Sequence, residues 1–269
     1  MGTQVVERVE VVAPDVVRPA PPARETSYGV VLRVARELLL LAGMYAVYSA
    51  GRIYAAAHSG SAYDNAHQLV RAEDAVGLPS EAGLQHAVLQ VPHLAQAANL
   101  YYAGVHFPLT AAVLIWLSVR RPASYPRVRW TLIALTALGL VGHTIFPLAP
   151  PRMLPGLGWV DTGIRFGQSV YGPTNHSGMA NQFAAMPSLH VGWAALVATA
   201  MILVTRSRRR WLWLAHPVLT FAVVVVTANH YWLDGLVALT MLGCLLPILL
   251  GARQKRTTGN PVSADVVLG

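Results

Sequence analysis

Six apolar segments of about 20 residues each constrain this chain more than any other feature, because that length spans the hydrocarbon core of a bilayer as an α-helix. They cover approximately residues 37–56, 99–119, 130–149, 188–205, 211–229 and 233–251. Backbone groups in hydrocarbon have to form hydrogen bonds within the segment, which favours helices. The sequence therefore predicts an all-α, polytopic membrane protein built as a six-transmembrane-helix bundle.

Composition and charge agree with this class. Hydrophobic residues make up 54% of the chain and charged residues 12%, against about 25% charged residues in an ordinary soluble domain. The net charge is +8, but the basic residues form short runs between apolar segments, so no nucleic-acid partner is predicted. The one cysteine, Cys244, excludes an intramolecular disulfide and a cysteine-based metal site.

The basic runs also predict the orientation. Six spans place four groups of basic residues on one side, and the positive-inside rule makes that side cytoplasmic. The groups are Arg33 and Arg36; Arg120, Arg121, Arg127 and Arg129; Arg206, Arg208, Arg209 and Arg210; and Arg253, Lys255 and Arg256. We therefore expect a multi-pass protein of the cell membrane with both termini in the cytoplasm.

The sequence predicts three regions along the chain. Residues 1–27, rich in Pro and Val and without the apolar core of a signal peptide, are predicted to form a disordered cytosolic tail. Residues 28–251 form the six-span membrane catalytic domain, and 252–269 a cytosolic C-terminal tail. The polar stretch between the first two spans predicts one or two interfacial helices. Its acidic residues are either solvated or paired with Arg71, Arg152 or Arg165; they are Glu73, Asp74 and Glu81.

Several ionisable residues converge on the opposite, extracytoplasmic side. Ser188 and His190 begin the fourth span, His230 and Asp234 follow the fifth, and Arg152 lies in the connection between the third and fourth. Each alone has a structural explanation as a cap, a hydrogen-bonding partner or a headgroup anchor. Together they are functional candidates, because ionisable groups at the membrane are costly and usually serve function.

These residue types suit phosphoryl transfer. A histidine oriented by a carboxylate one helical turn away is a competent nucleophile. A second histidine can exchange protons with the leaving and entering oxygens. An arginine and a helix N-terminus can bind phosphate oxygens. The set needs neither a metal nor a cofactor, and none is predicted.

Two motifs and a connecting loop resemble a known family. "PSLH" at 187–190, followed by "HYWLD" at 230–234, is similar to the type 2 phosphatidic acid phosphatase superfamily of lipid phosphatases. "FPLAPPR" at 146–152 and "AEDAVGLPSEAGLQ" at 72–85 resemble the branch that contains inositol phosphorylceramide synthase. The resemblance covers approximately residues 65–250.

The resemblance implies roles for individual residues. His230 corresponds to the nucleophile, supported by Asp234, and His190 to the general acid, with Ser188 contacting phosphate. The family's first motif, a Lys six residues before Arg-Pro, has no counterpart, and Arg152 is the best substitute. Two further departures are Val223 and Val224, where the family has Ser-Arg, and Leu189, where it has glycine.

The acceptor remains open at this stage. The expected substrate is a lipid phosphate in the bilayer; water as acceptor makes the protein a phosphatase, and a polyol or lipid hydroxyl makes it a phosphotransferase. His176, in the outer loop, is a further candidate for substrate contact, and the glycine-rich loop 153–186 for a lid. His106, His143 and His216 are expected to form hydrogen bonds within the bundle.

Two alternatives from other classes are kept. The spacing of 14 residues from His176 to His190, and again from His216 to His230, could stack two haems between helices. The 176–187 segment, however, has prolines at its flanks, a glycine and several polar residues, which disfavour a span. A lipid transporter would use the same outer pocket without chemistry, but no inverted repeat is detectable.

Overall fold

A computed structural model of the chain describes residues 59–169 and 183–251, together with isolated helical positions at 32, 39, 43, 46 and 50. The chain divides into two compact units, Met1–Ala42 and Gly43–Gly269. All helices labelled below belong to the second unit. The predicted tails at 1–27 and 252–269, most of the first predicted span and His176 lie outside the described residues.

The described residues form α-helices and no strand, which confirms the all-α prediction for that part of the chain. The α-helices are α1 Ser59–Ala75, α2 Glu81–Leu89, α3 Leu94–Gly104, α4 His106–Arg120, α5 Tyr125–Ile145, α6 Thr162–Arg165, α7 Leu189–Val204, α8 Ala215–Val226 and α9 Trp232–Leu250. Two 3₁₀ helices, Pro151–Met153 and Arg208–Leu214, complete the described elements.

Among the described residues, four helical stretches are long and apolar enough to cross a membrane. They are Leu94–Arg120, Tyr125–Ile145, Arg208–Val226 and Trp232–Leu250. The helix over Leu189–Val204 is apolar but shorter. The chain is thus a multi-pass membrane protein, while the count of six spans remains a prediction.

The ends of α5 show where tertiary structure shifted a predicted boundary. The apolar segment at 130–149 predicted a helix to residue 149, but α5 begins earlier, with Pro126 in its first turn, and ends at Ile145. Pro147 lacks an amide hydrogen and disfavours helix in the residue before it. The residues that follow run extended beside the chain leading into α7, where Leu148 forms an isolated bridge with Ala184.

The polar stretch before α3 was predicted to form one or two helices. This is confirmed, since α1 and α2 occupy it. Buried Gln85 of α2 fixes this layer to the rest of the protein. Its Nε2 donates to Val160 O at 2.9 Å and to Val226 O at 3.1 Å, and its Oε1 accepts from Val160 N at 2.8 Å. One amide thereby joins α2, the loop before α6 and the end of α8.

Close packing of α5 on α7 sets the position at which α7 begins. A Cβ placed on Gly142 would lie 2.8 Å from Pro187 Cδ, and one on Gly139 would lie 2.5 Å from Leu189 Cδ2. Small residues at such crossings allow the backbones to approach, and van der Waals packing of this kind stabilises helix association in lipid. The first turn of α7 is therefore held against α5 with no space for a side chain between them.

Candidate active site

His230 lies in the short connection between α8 and α9 and is buried. Its backbone N–H donates to Val224 O at 3.1 Å. Its ring Nδ1 lies 2.8 Å from Ala185 O and 3.2 Å from Asp234 Oδ2. A carbonyl and a carboxylate only accept hydrogen bonds, so Nδ1 carries the proton and Nε2 keeps its lone pair.

The electrostatic surroundings keep this ring neutral. Burial lowers the pKa of the His230 imidazole to about 4, and the nearby Arg152 guanidinium acts in the same direction. Desolvation disfavours the charged form of a histidine, and so does a neighbouring positive charge. At neutral pH the ring is therefore an uncharged imidazole with a free nitrogen lone pair.

Asp234 is completely buried in the first turn of α9. Its Oδ2 accepts from Tyr231 N at 2.9 Å as well as facing His230 Nδ1. The carboxylate is consequently fixed by the start of its own helix. The two side chains meet as the four-residue spacing predicted, although His230 precedes the N-cap of α9 and is not itself helical.

The start of α7 adjoins the start of α9. Ser188 is the N-cap of α7, and its Oγ accepts from Val191 N at 3.5 Å. Its backbone N–H donates to Asp234 O at 3.0 Å, which ties the two helix starts together. The ring centroids of His190 and His230 are 5.7 Å apart, so both side chains can reach one phosphoryl group between them.

Aromatic side chains from α3 and α4 hold His190. Its ring stacks on Tyr102 with centroids 4.6 Å apart, and the Phe107 ring lies edge-on at 5.3 Å. His106 lies next to it at 5.0 Å. Stacking on a buried tyrosine fixes the plane of the imidazole.

Arg152 enters the site from the 3₁₀ turn Pro151–Met153. Its backbone N–H donates to Ala228 O at 2.9 Å, its Nη1 donates to Asn229 Oδ1 at 2.8 Å, and its Nε lies 3.5 Å from Asp161 Oδ2. The guanidinium is thus held directly beside the residue that precedes His230. Ala228 has a φ of +56°, a strained conformation for a residue with a Cβ.

The structure therefore brings together five of the six predicted site residues. They are Arg152, Ser188, His190, His230 and Asp234. His176, the sixth, lies outside the described residues. The catalytic and phosphate-binding roles of all six remain predictions.

The remaining predicted histidines divide into two groups. His143 Nε2 lies 3.0 Å from Pro187 O, and His216 Nδ1 lies 2.8 Å from Tyr101 Oη. Both serve within the bundle as expected. For His106 the prediction of hydrogen bonding is wrong, since neither ring nitrogen has a partner among the described residues and the ring packs against other imidazoles.

Sequence reasoning missed several residues that build the site. Asn229 and Asp161 hold the Arg152 side chain, and no spacing in the sequence connects the three. The interpretation of the glutamates as solvated or arginine-paired is wrong for Glu73 and Glu81: both are buried and accept hydrogen bonds from the backbone of α9. The presence of two glutamates in an otherwise charge-poor chain was the one sequence feature that could have indicated a buried role for them.

A small polar cleft opens beside Arg152. Its lining consists of Asn99, Tyr102, Arg152, Asp161, Gly163, Gln168, Ser169, Thr227 and Asn229. Asn99 is itself fixed, donating to Thr162 O at 3.0 Å and to Gln168 Oε1 at 3.2 Å. Within the described part of the chain, no group of three or more His, Cys, Asp or Glu side chains is placed to hold a metal ion.

Comparison with known families agrees with this geometry. The model of the PAP2 superfamily matches residues 67–248, which is more than half of the chain and includes every described candidate site residue. The chain therefore belongs to the PAP2 superfamily, as its motifs indicated.

One curated relative matches about half of the chain. The phosphoinositol dihydroceramide synthase of Bacteroides thetaiotaomicron is 27% identical over 169 residues. The match covers 54% of this chain and 51% of the relative, so the chain spans about half the length of that protein. No solved structure matches the chain significantly. Neither the haem alternative nor the transporter alternative receives support from these matches.

Proposed function

We propose that this protein transfers a phosphoryl-bearing group from a lipid phosphate through a covalent intermediate on His230. One observation carries the proposal: the Nδ1 proton of His230 faces two acceptors, Ala185 O and Asp234 Oδ2, which leaves the Nε2 lone pair for attack on phosphorus. The His190 ring lies within reach of the same group. Membership of the PAP2 superfamily supports the same chemistry.

In the first step, His230 Nε2 attacks the phosphorus atom and the bond from phosphorus to the lipid oxygen breaks. Protonated His190 gives its proton to that leaving oxygen. The imidazolium that forms on His230 is stabilised by the Asp234 carboxylate at Nδ1, so charge is neutralised as it develops. Arg152 can pair with the non-bridging oxygens, because a guanidinium matches phosphate geometry.

In the second step, the now neutral His190 removes a proton from the acceptor hydroxyl as its oxygen attacks phosphorus. The bond from phosphorus to Nε2 breaks, and His230 returns to its starting state. Water as acceptor gives inorganic phosphate when the donor is a phosphomonoester, and an alcohol acceptor gives a new phosphate ester. Both outcomes use the same two histidines.

We place this site at the extracytoplasmic face of the cell membrane, with both termini in the cytoplasm. The support is the charge distribution: the arginines at 206 and 208–210 lie at the end of α7 opposite to His190, and positive clusters mark the cytoplasmic side. Reaction of an engineered cysteine at 208 with an impermeant thiol reagent in intact cells would contradict this orientation.

A second candidate is transfer of a phosphoinositol-type headgroup to a lipid acceptor. The match to a phosphoinositol dihydroceramide synthase favours it. The amide-lined cleft beside Arg152 also favours it, since amide side chains supply both donors and acceptors to hydroxyl groups. In this case the leaving group is a diacylglycerol and the acceptor a lipid hydroxyl.

Trapping of the intermediate tests the mechanism. The purified protein in lipid nanodiscs is incubated with a ³²P-labelled lipid phosphate and quenched in alkali. We expect protein-bound label that is stable in alkali and lost in acid, as a phosphoramidate is. His230→Gln removes the nucleophile and should abolish the label, whereas His67→Gln, an exposed histidine of α1, should keep it. Equal labelling of both variants would refute the proposal.

Product analysis separates the two candidate reactions. The same preparation receives labelled phosphatidic acid or headgroup-labelled phosphatidylinositol, each with and without ceramide. Release of phosphate that ceramide does not affect indicates hydrolysis. A new labelled lipid that appears only with phosphatidylinositol and ceramide indicates headgroup transfer.

A further inference from the structure

Two glutamates from outside the membrane-spanning helices hold the start of α9. Glu73, in α1, accepts through Oε1 from Leu233 N at 2.8 Å. Glu81, the first residue of α2, accepts through Oε1 from Trp232 N at 3.4 Å. The first N–H groups of a helix have no partner within it, and here the partners come from carboxyl groups. These backbone groups follow His230 by two and three residues.

The two carboxyl groups are buried and meet consecutive backbone N–H groups, those of Leu233 and Trp232. Glu73 is 3% exposed and Glu81 is 6% exposed. Burial, together with the neighbouring Glu81 carboxyl, raises the pKa of Glu73 to about 9. The second oxygen of Glu73, Oε2, is buried without a hydrogen-bond donor among the described residues. An oxygen in that position is better suited to carry a proton than a negative charge.

Among the described residues, three titratable groups interact electrostatically with Glu73. Glu81 does so from α2, and Tyr231 and Asp234 do so from the start of α9. Asp234 already brings a carboxylate to this helix start through its bond with Tyr231 N. Like charges at short distance repel each other. Simultaneous ionisation of all three carboxyl groups at the start of α9 is therefore unfavourable.

We propose that Glu73 and Glu81 are positioning residues for His230. The two carboxyl groups share one proton, and their hydrogen bonds fix the backbone at 231–233. The shared proton limits the negative charge next to Asp234. The inference rests on the proposed role of His230 as the nucleophile. Loss of the shared proton places a second negative charge beside Asp234. Repulsion then shifts the start of α9, and the histidine moves with it.

The pH dependence of catalysis tests this pair. Glutamine at position 73 keeps an acceptor for Leu233 N and a donor toward Glu81 without a titratable proton. We expect the wild type to lose activity as the pH rises through the pKa of Glu73, about 9. Glu73→Gln should lower kcat at pH 7 by less than about threefold and should remove that loss. Glu73→Ala should lower kcat by about tenfold or more, since a small misplacement of a reacting group is costly.

A neighbouring acid provides the matched control. Asp74 is exposed on the same helix, and Asp74→Asn should keep the wild-type pH profile. A Glu73→Gln profile that superimposes on the wild type would overturn the inference. So would a folded Glu73→Gln protein as impaired as Glu73→Ala, or a control that loses the alkaline limb as well.

A spectroscopic measurement keeps the inference separate from the proposed activity. Infrared difference spectra of the reconstituted full chain, wild type minus Glu73→Gln, should show the carbonyl band of a protonated carboxylic acid at pH 7. That band should disappear above the pKa of Glu73. Absence of the band at pH 7 would refute the proposal that the two glutamates share a proton. Presence of the band in a protein without activity on lipid phosphates would count against the proposed function alone.

Discussion

Two helices, α7 and α9, begin side by side at the candidate site, and their N-termini are capped in opposite ways. The start of α7 is capped by the neutral hydroxyl of Ser188. The start of α9 is capped by carboxyl groups, those of Asp234, Glu73 and Glu81. Among the described residues, the cap of α7 is an uncharged hydroxyl, whereas three carboxyl groups meet the start of α9.

The difference separates two tasks. A helix N-terminus has the positive end of the helix dipole and favours an anion. At α7 a substrate phosphate can supply that anion. At α9 the protein supplies it, and one of the carboxyl groups, that of Asp234, also fixes the Nδ1 proton of His230. We infer that α7 serves the substrate and α9 serves the nucleophile.

The largest effect is expected from the carboxylate of α9. Asp234→Asn keeps the shape of the side chain but removes the charge that stabilises the imidazolium, so kcat should fall by about 10²–10⁴-fold with little change in KM. Steady-state kinetics in nanodiscs measures this. The matched control is Asp64→Asn on the exposed side of α1, which should behave as the wild type. A decrease below about threefold for Asp234→Asn would break the assignment of α9 to the nucleophile.

The next effect is expected where α5 supports α7. Gly142→Ala places a Cβ 2.8 Å from Pro187 Cδ and should displace the residues that lead into the N-cap. We expect a loss of about 1–3 kcal/mol in stability and about tenfold in kcat/KM. Gly104→Ala, with nothing within 4 Å of the added Cβ, is the control for thermal unfolding in detergent. Equal unfolding temperatures for the two variants would show that α7 is not held in this way.

A smaller effect is expected at the cap of α7. Ser188→Ala removes the neutral cap and should raise KM for the lipid phosphate more than it lowers kcat, with a loss of about 1 kcal/mol in stability. Ser207→Ala removes a comparable cap, the bond to Arg209 N, at the start of another helix and should change stability without changing KM. If Ser188→Ala lowers kcat alone, the division of tasks between α7 and α9 is wrong.

The smallest effect concerns strain before α9. Ala228 adopts a positive φ, and Ala228→Gly should relieve it and stabilise the protein by about 1 kcal/mol. Ala111→Gly, at an exposed position within α4, should destabilise by about the same amount. Unfolding temperatures measure the two changes in stability, which should have opposite signs. Destabilisation by Ala228→Gly would show that this conformation carries no strain.

Much of the site was predictable because its parts are close in sequence or in topology. His230 and Asp234 are four residues apart, and Ser188 and His190 occupy one helix start. Positive-charge runs placed these pairs and Arg152 at a common side. Apolar length predicted the helices, although boundaries shifted where a proline intervened, as Pro147 did after α5.

Other parts depend on contacts that no spacing encodes. The acceptor that fixes the His230 tautomer is the backbone oxygen of Ala185, and any residue type supplies a carbonyl. Asn229 follows α8 and Asp161 lies in the loop before α6, and packing brings both to Arg152. Because these partners are distant in the chain, only the folded structure identifies them.

The sequence alone determined that this chain forms membrane-spanning helices and carries the residue types for phosphoryl transfer. Apolar length and charge placement act locally, through the free energy of inserting each segment in lipid. The tertiary structure decided which ring nitrogen of His230 carries the proton and which carboxyl groups meet the start of α9. Hydrogen bonding and burial depend on neighbours brought together by packing. Glu73 and Glu81, expected to be solvated or paired with arginine, are therefore buried and accept hydrogen bonds from the backbone at the start of α9.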